Sequence, residues 1–443
     1  MPAESVAHRA ESSAIEGGIV QKLKLLIAAS MLALLSSLSL AESNAINLGA
    51  HLDGLLELAR RANPAYASTR FEADAASERV YSAGALSDPT LRTELQNMGN
   101  QGRDASPNVL PSRIGSTRYT LIQPLPFWGK RDLRRAAAEA EADQAKGRSA
   151  ASWSELAARI KTLYAQRYQA LRSAALTREI LSLLSHIEKI SRVRYANGLT
   201  PQQDAIRAQL EQTAVYSELL TWETESHHWQ ARINALLRRP THAPLAEPVA
   251  ARRLPSAEQL DYTTLAEQLR ARNPQLFSAA ARIAAAEQGR ALSERNRYPD
   301  FNIGISPLQT QNRIDEWTLM IELNLPLQQE SRRAQAREAQ ATFAAAEASQ
   351  AAIQNQLLGE LAENLAALDL ARRNADLIEN RRLPQADLSY RAALVAYENG
   401  KVDFATLLDA QRQIRQARLD ELKAQTEAQI RLAEVERLLG EDL

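Results

Sequence analysis

The sequence predicts a mainly α-helical protein with a small β part, built as two tandem copies of a helix–strand–strand–long helix–helix unit. Three observations carry that expectation. The first is composition. Of 443 residues, 45% are hydrophobic but only 5% aromatic, with 16 glycines and an abundance of Ala, Leu, Glu, Gln and Arg. Such a balance favours long helices or coiled coils over a thick aromatic core. The second is a set of marks that return in the same order. Ala62-Asn63-Pro64 recurs as Arg272-Asn273-Pro274, 210 positions on, and Leu125-Pro126 as Leu325-Pro326, 200 on. Tyr195-Ala196-Asn197-Gly198 recurs as Tyr397-Glu398-Asn399-Gly400, and Ala208-Gln209 as Ala410-Gln411, both 202 on. Ordered self-similarity of this kind marks a repeat, and the one shortening of the offset places a shorter loop in the second copy. The third observation is a pair of segments with period-2 alternation in each copy, the pattern of a sheet with one apolar face.

The chain opens with a targeting segment. Lys22 and Lys24 precede an uncharged run, Leu25 to Leu40, and Ser39-Leu40-Ala41 supplies small residues ahead of Glu42. This is the layout of a secretory signal ending at residue 41. As a helix the 16-residue run rises only ~24 Å, short of the ~30 Å bilayer core, so a membrane anchor fits less well. The polar stretch Met1 to Ile19 is long for the start of such a signal, which places the expected start near Val20. The first repeat then covers 42–239 and the second 256–443. Between them, 240–255 is a linker by composition, with Pro240, Pro244, Pro248 and Pro255.

Within the repeats, a first helical segment is expected at about 47–84 and again at about 258–297. Strands follow at about 88–97 and 116–125, then at 299–308 and 316–325. Long helices are expected at about 127–194 and 327–396, each stopped by an Asn-Gly turn. Return helices occupy about 201–237 and 403–439. The long segments would rise ~100 Å and the shorter ones ~55–60 Å apiece, so two short helices end to end match one long one. Leu156, Ile160, Leu163 and Ile180, Leu183, Ile187, Ile190 keep spacings of three and four, a narrow seam suited to a coiled-coil wall.

In the last strand Trp317, Leu319, Ile321, Leu323 and Leu325 alternate with Thr318, Met320, Glu322 and Asn324. In the strand before it Phe301, Ile303 and Ile305 alternate with Asn302, Gly304 and Ser306. The first copy alternates less cleanly: Tyr119 and Leu121 fit the row, and Gln123 breaks it. About ten residues is the length a tilted strand needs to cross a bilayer. Phe301, Ile303, Ile305, Trp317, Leu319, Ile321 and Leu323 are therefore expected to face lipid, the alternative being a soluble sheet packed on helices. Pro89 and Pro299 open the first strand of each pair, and Pro126 and Pro326 close the second, positions where a missing N–H is tolerated. Tyr119, Phe127, Trp128, Tyr298 and Trp317 fall near strand ends, as aromatic girdles do. Four strands cannot close a membrane barrel, which starts at eight, and open edges do not persist in lipid. The chain is thus expected to pool strands with copies of itself, two giving eight and three giving twelve.

Together the signal segment, the tandem strand–strand–long-helix units and the twin Tyr-x-Asn-Gly turns resemble the TolC-like outer membrane efflux proteins, over nearly all of the mature chain. The resemblance implies a homotrimer: a 12-stranded β-barrel in the outer membrane, continued by a long α-helical coiled-coil barrel in the periplasm. It implies a periplasmic adaptor (membrane fusion) protein and an inner-membrane RND-type pump as partners, with outer membrane lipid around the barrel. It also implies a gate at the periplasmic tip, beside turns made by Tyr195, Asn197, Gly198, Asn399 and Gly400. Asp204, six residues past the first turn glycine, matches one of the family's gate aspartates, and Asp409 matches the inner member of its aspartate pair. Thr406 stands where some members have the outer aspartate, Val402 where some have an arginine, and Tyr397 at the tip tyrosine. A threefold ring of such acids would concentrate cations, although here it is thinned of charge. Helical periodicity by itself equally allows Asp204 and Asp409 to be solvated surface residues.

The run Gln123-Pro124-Leu125-Pro126-Phe127-Trp128-Gly129-Lys130-Arg131 resembles the strand-to-helix corner of heavy-metal cation (CzcC/CusC-like) RND efflux systems and points to divalent cation export. Its own chemistry is that of an interfacial corner, aromatic at the lipid boundary and basic near headgroups. It lacks the spacing of a phosphate-binding loop. Some members carry a lipidated N-terminal cysteine. This chain has no cysteine, so its membrane hold is expected to come from the barrel.

Other functions are disfavoured. With 53 basic and 53 acidic groups, the chain lacks the basic excess of a nucleic-acid binder. The absence of cysteine removes disulfides and thiolate chemistry. His227 and His228 are adjacent, ~100° apart on a helix, and so do not share a face as metal ligands would. Met98 and Met320 are the only methionines after the signal, too few for a soft-metal relay. No nucleophile–base grouping or dinucleotide loop stands out, so no enzyme, no cofactor and no bound metal are expected. The leading expectation is a passive duct working with a pump. A drug-efflux or type I secretion duct of the same fold competes with metal export. From a different class, a periplasmic coiled-coil adaptor or scaffold would bury Ile303, Ile305, Leu319 and Ile321 rather than expose them.

Overall fold

The computed structural model describes residues 47–96, 116–310 and 313–443. The signal segment lies outside these. Where one opening helix was expected in each repeat there are two. Helix α1 spans Leu52–Ala62 and α2 spans Pro64–Gly84. Asn63 between them is extended, as a residue before proline must be, and its side chain accepts from the Tyr66 N–H at 3.0 Å. Pro64 begins the new helix, where its missing N–H has no partner to lose. The second copy repeats the device. A 3₁₀ turn, Glu258–Leu260, leads into α5, Tyr262–Arg272, and α6, Pro274–Arg295. Here Asn273 accepts from the N–H groups of Gln275 and Leu276 at 2.8 and 3.0 Å, and donates to the Leu438 carbonyl at 2.7 Å.

The long helix α3, Lys130–Ala196, is continuous over 67 residues, and α4 spans Gln202–Leu236. Its counterpart is not continuous, contrary to expectation. Helix α7, Gln329–Leu377, passes through a π turn, Ile378–Arg382, into α8, Leu383–Glu398. Pro384 explains the break: it has no N–H for the carbonyl four residues back, and its ring crowds that carbonyl, so the ladder widens by one residue. Helix α9, Phe404–Leu439, completes the chain.

Four strands form one antiparallel sheet in sequence order: β1 Thr90–Gln96, β2 Ser116–Leu125, β3 Phe301–Thr310 and β4 Arg313–Leu323. β2 has the expected bounds. β3 and β4 lie closer to their shared turn than expected, so Asn324 and Leu325 fall outside β4. Pro89, Pro126, Pro299 and Pro326 all flank strands rather than interrupt them. Leu91 pairs with Leu121, Leu121 with Ile305, and Ile305 with Leu319, while Ile303 pairs with Ile321 and Phe301 with Leu323. One face of the sheet is therefore a largely apolar field, broken at Gln123 opposite Ile303.

The chain divides into two compact units, each drawing on both halves of the sequence. One comprises residues up to Ala62 with Ile160–Arg253 and Asn374–Gln429. Its core joins Leu184 and Ile187 of α3, Ala208 and Val215 of α4, Tyr397 of α8, and Phe404, Leu407 and Ala417 of α9. Of the seam residues expected there, Ile180 and Ile187 are buried, whereas Leu183 and Ile190 are half-buried and Leu184 takes the central place. The other unit comprises Asn63–Arg159, Leu254–Arg373 and Ile430–Leu443, and contains the sheet. Its core joins Leu265 and Leu269 of α5, Leu357 and Leu361 of α7, and Val435, Leu438 and Leu439 of α9. Each such side chain contributes roughly 1.5–3 kcal/mol. In the same unit α2 meets α3 through Ala73, Ala76, Ala142 and Ala145. Helix α6 approaches α3 so closely that a Cβ on Gly147 would lie 2.8 Å from the Ser278 Cβ and 2.9 Å from its backbone.

Asn273→Ala should remove the α6 cap and strand the Leu438 carbonyl, costing about 2–4 kcal/mol. Guanidinium unfolding of the detergent-purified protein measures it, and a change under 1 kcal/mol would contradict the double role given to Asn273.

Candidate functional site

The apolar face of the sheet is open. Ile303, Ile305, Leu319 and Ile321 are 39, 47, 69 and 65% exposed, and Trp317 and Leu323 are exposed beside them. Phe301 is half-buried. On the opposite face Thr120 and Ser306 are buried and share a hydrogen bond at 2.9 Å. The exposed face is thus the more apolar one, and the buried face behind it is mixed, with Ile122 and Met320 beside Thr120 and Ser306. The discriminating residues of the adaptor alternative are exposed, not buried.

At its helix end the sheet is bolted to α3. Lys130 is 2% exposed, and its Nζ donates to Asp300 Oδ1 at 2.8 Å and to the Tyr298 carbonyl at 2.9 Å. The Phe127 N–H donates to the same Asp300 oxygen at 2.8 Å. Burial pushes the Asp300 carboxyl up, but the bonds from Lys130 and Phe127 and the charges of Lys130 and Arg134 outweigh it, and its pKa falls below the usual carboxylate value. Phe127 stacks on Tyr298 at 4.5 Å, and Trp128 lies 5.4 Å from Phe301. Two girdle residues expected near strand ends, Tyr119 and Trp317, stand further along their strands, Trp317 opposite Pro307. From Phe301 to Pro307 is six residues, about 20 Å of strand.

The twin turns lie together in the other unit. After α3, the Gly198 N–H donates to the Tyr195 carbonyl at 2.9 Å and the Leu199 N–H to Arg194 at 2.9 Å; after α8, Gly400 donates to Tyr397 at 3.0 Å and Lys401 to Ala396 at 2.8 Å. This is the Schellman closure, and it needs φ > 0 at the glycine: +69° at Gly198 and +68° at Gly400. Asn197 and Asn399 each turn a side-chain amide back onto the residue four earlier, at 2.8 and 2.7 Å.

Identical backbones carry different side chains. Tyr195 is 45% exposed, whereas Tyr397 is 1% exposed, its hydroxyl 3.0 Å from Ser191 Oγ, its ring edge-on to Phe404 and beneath the Arg194 guanidinium. The structure therefore places Tyr397 in the core between the two helix pairs. Arg194 also donates to the Glu398 carbonyl at 2.6 Å. Buried Glu211 of α4 receives Arg412, with Arg415 at 3.5 Å, both from α9. Sequence reading passed over this cluster, whose partners lie 201 residues apart.

Asp204 is half-buried in the first turn of α4. Burial raises its pKa, Arg207 and Arg194 pull it down, Asp403 pushes it up, and the net shift is upward. The acid acting on Asp204 is thus Asp403, which sequence matching missed. Asp403 caps α9, accepting the Thr406 N–H at 2.9 Å and the Thr406 hydroxyl at 2.6 Å, and those bonds lower its pKa. The Asp-x-x-Thr spacing was the signal for that cap. Thr406 is therefore committed to Asp403, while Asp409 is exposed and accepts from Gln413 at 2.7 Å.

A raised carboxyl stabilises the fold most below the ordinary Asp value and loses that contribution as pH rises through its own value. Asp204→Asn should therefore raise the melting temperature at pH 7 and do so progressively less as the pH falls below the ordinary carboxylate range. An equal shift at every pH would show that ionisation of Asp204 is not the cause.

The outer membrane efflux protein family matches residues 55–237 and 265–441. A sequence comparison with curated proteins found no match. Among solved structures, a membrane protein from Pseudomonas aeruginosa superposes with TM-score 0.76 at 19% identity, over 90% of this chain and 92% of that one. The outer membrane protein VceC from Vibrio cholerae gives 0.74 at 19%, over 88% and 96%. CusC, whose structures describe folding and transmembrane channel formation, gives 0.74 at 14%, over 88% and 92%. Identities this low carry the fold alone; the family match carries more. The chain belongs to the outer membrane efflux protein family, as a TolC-like channel of the outer membrane whose helical part stands in the periplasm.

Proposed function

We propose that this channel works as a passive homotrimeric duct between a periplasmic adaptor and an inner-membrane RND-type pump, carrying heavy-metal cations outward. The observation that carries the duct is the sheet: its apolar face is exposed, and its outer strands β1 and β4 have unpaired edges among the described residues. Lipid tolerates the first and forbids the second. Joining β4 of one copy to β1 of the next satisfies both, and three copies give twelve strands, wide enough for a lumen. Phe301, Ile303, Ile305, Trp317, Leu319, Ile321 and Leu323 then face lipid. The family is one of channels, so no residue is assigned to catalysis. Metal export rests on the Gln123–Arg131 corner alone. Asp204 and Asp409, with Asp403 beside Asp204, are the acids that would line the closed end and draw cations to it.

Purification from outer-membrane fractions, mass photometry and planar-bilayer recording test the duct: a conducting trimer is expected, and a soluble, silent species would overturn it. Export of Zn²⁺ and Co²⁺ against hydrophobic drugs in a strain lacking the gene then tests the cargo. Ile321→Arg should sharply reduce folded trimer, at ~2–4 kcal/mol per site near the midplane; normal yield would remove Ile321 from the lipid face. Replacing Asp204 and Asp409 together by Ala should change conductance or its block by trivalent cations. Unaltered currents would exclude both from the pore.

A further inference from the structure

We infer that the base of the β2–β3 pair is a binding site for an anionic phospholipid headgroup, an inference that rests on the barrel proposed above. Three features converge there. Trp128 is 71% exposed, yet its ring touches Phe301 at the foot of the apolar face. Tyr298, also exposed, stacks with Phe127 beside it. Arg134, Arg295 and Arg297 are all exposed around this cluster. Arg295 Nη1 is fixed by a 3.4 Å bond to the Trp128 carbonyl, and the charge of Arg134 reaches Asp300.

The acid of this corner is already occupied. Asp300 takes Lys130 and the Phe127 N–H, and none of the three arginines forms an ion pair among the described residues. They form a cationic rim under an apolar wall. Guanidinium groups bind phosphate oxygens bidentately, and an indole at the headgroup level keeps its apolar body in hydrocarbon. Acyl chains against Phe301 and Trp128 would place a phosphodiester at the rim.

Topology keeps the site open. β2 and β3 are the inner strands of the four, so their corner lies away from the β1 and β4 edges that would join copies. Because the helices stand in the periplasm, this strand end meets the inner leaflet. Three such cations favour a headgroup of net negative charge over a zwitterion, whose ammonium they repel.

The test is native mass spectrometry of the detergent-purified full-length protein, offered phosphatidylglycerol or phosphatidylethanolamine with the same acyl chains. Wild type should retain phosphatidylglycerol preferentially, and Arg134→Gln/Arg295→Gln/Arg297→Gln should lower that retention roughly tenfold or more, less so at high salt. The corresponding triple Lys variant should recover most of it. If the Gln triple does not assemble, Arg297→Gln, whose side chain makes no hydrogen bond or ion pair among the described residues, should show a partial loss. Equal retention of the two lipids by wild type, or of phosphatidylglycerol by wild type and Gln variants that still assemble and conduct, overturns the site and leaves the barrel standing. Failure of wild type to form a conducting oligomer sinks the barrel and this site with it.

Discussion

The bond on which the arrangement turns is the pair between the buried Lys130 and the half-exposed Asp300. A chain that changes from strand to helix must redirect its backbone hydrogen bonds within a few residues, and it does so here beside an open apolar face. Lys130 enters the helix with its ammonium shielded from water, held by a carboxylate and a carbonyl from the start of the third strand. Asp300 in turn fixes the N–H of Phe127, in the turn that leads into the helix. Removing one member of such a pair leaves the other charge uncompensated. The second and third strands are consequently locked to the same helix, and the aromatic ring of Phe127, Trp128, Tyr298 and Phe301 forms around that lock.

At the turns, symmetry of backbone coexists with asymmetry of side-chain packing. Both loops close through the same Schellman bonds, because Asn-Gly dictates local geometry whichever copy it belongs to. The side chains then diverge. Tyr397 and Phe404 sink into a shared core, while Tyr195 stays at the surface. Ser191, Arg194 and Glu211 bind the second helix pair to the first. These polar contacts sit at the margin of the apolar core that joins the two pairs. Asp204 and Asp403, adjacent and shifted in opposite directions, lie beside those contacts.

The sheet supplies the complementary constraint. Its exposed apolar face is incompatible with water, and the edges of β1 and β4, unpaired among the described residues, are incompatible with lipid. Behind that face lies a buried, mixed row in which Thr120 and Ser306 bond to each other beside Ile122.

What the sequence determined by itself was local: the alternation of Ile303, Ile305, Leu319 and Ile321, the four flanking prolines, and the Asn-Gly stops. Each follows from the φ, the missing N–H or the side-chain period of a few neighbouring residues. The helix breaks at Asn63-Pro64 and Asn273-Pro274 were equally local and legible as caps, but were absorbed into one periodic run. The π turn before Pro384 was marked in the same way. Only the tertiary structure could bury Tyr397 and expose Tyr195, choose Leu184 over Leu183, or give Asp204 the neighbour Asp403 rather than Asp409. Those outcomes depend on which surfaces meet across about two hundred residues of chain, and a helical period fixes a face without naming what that face will touch.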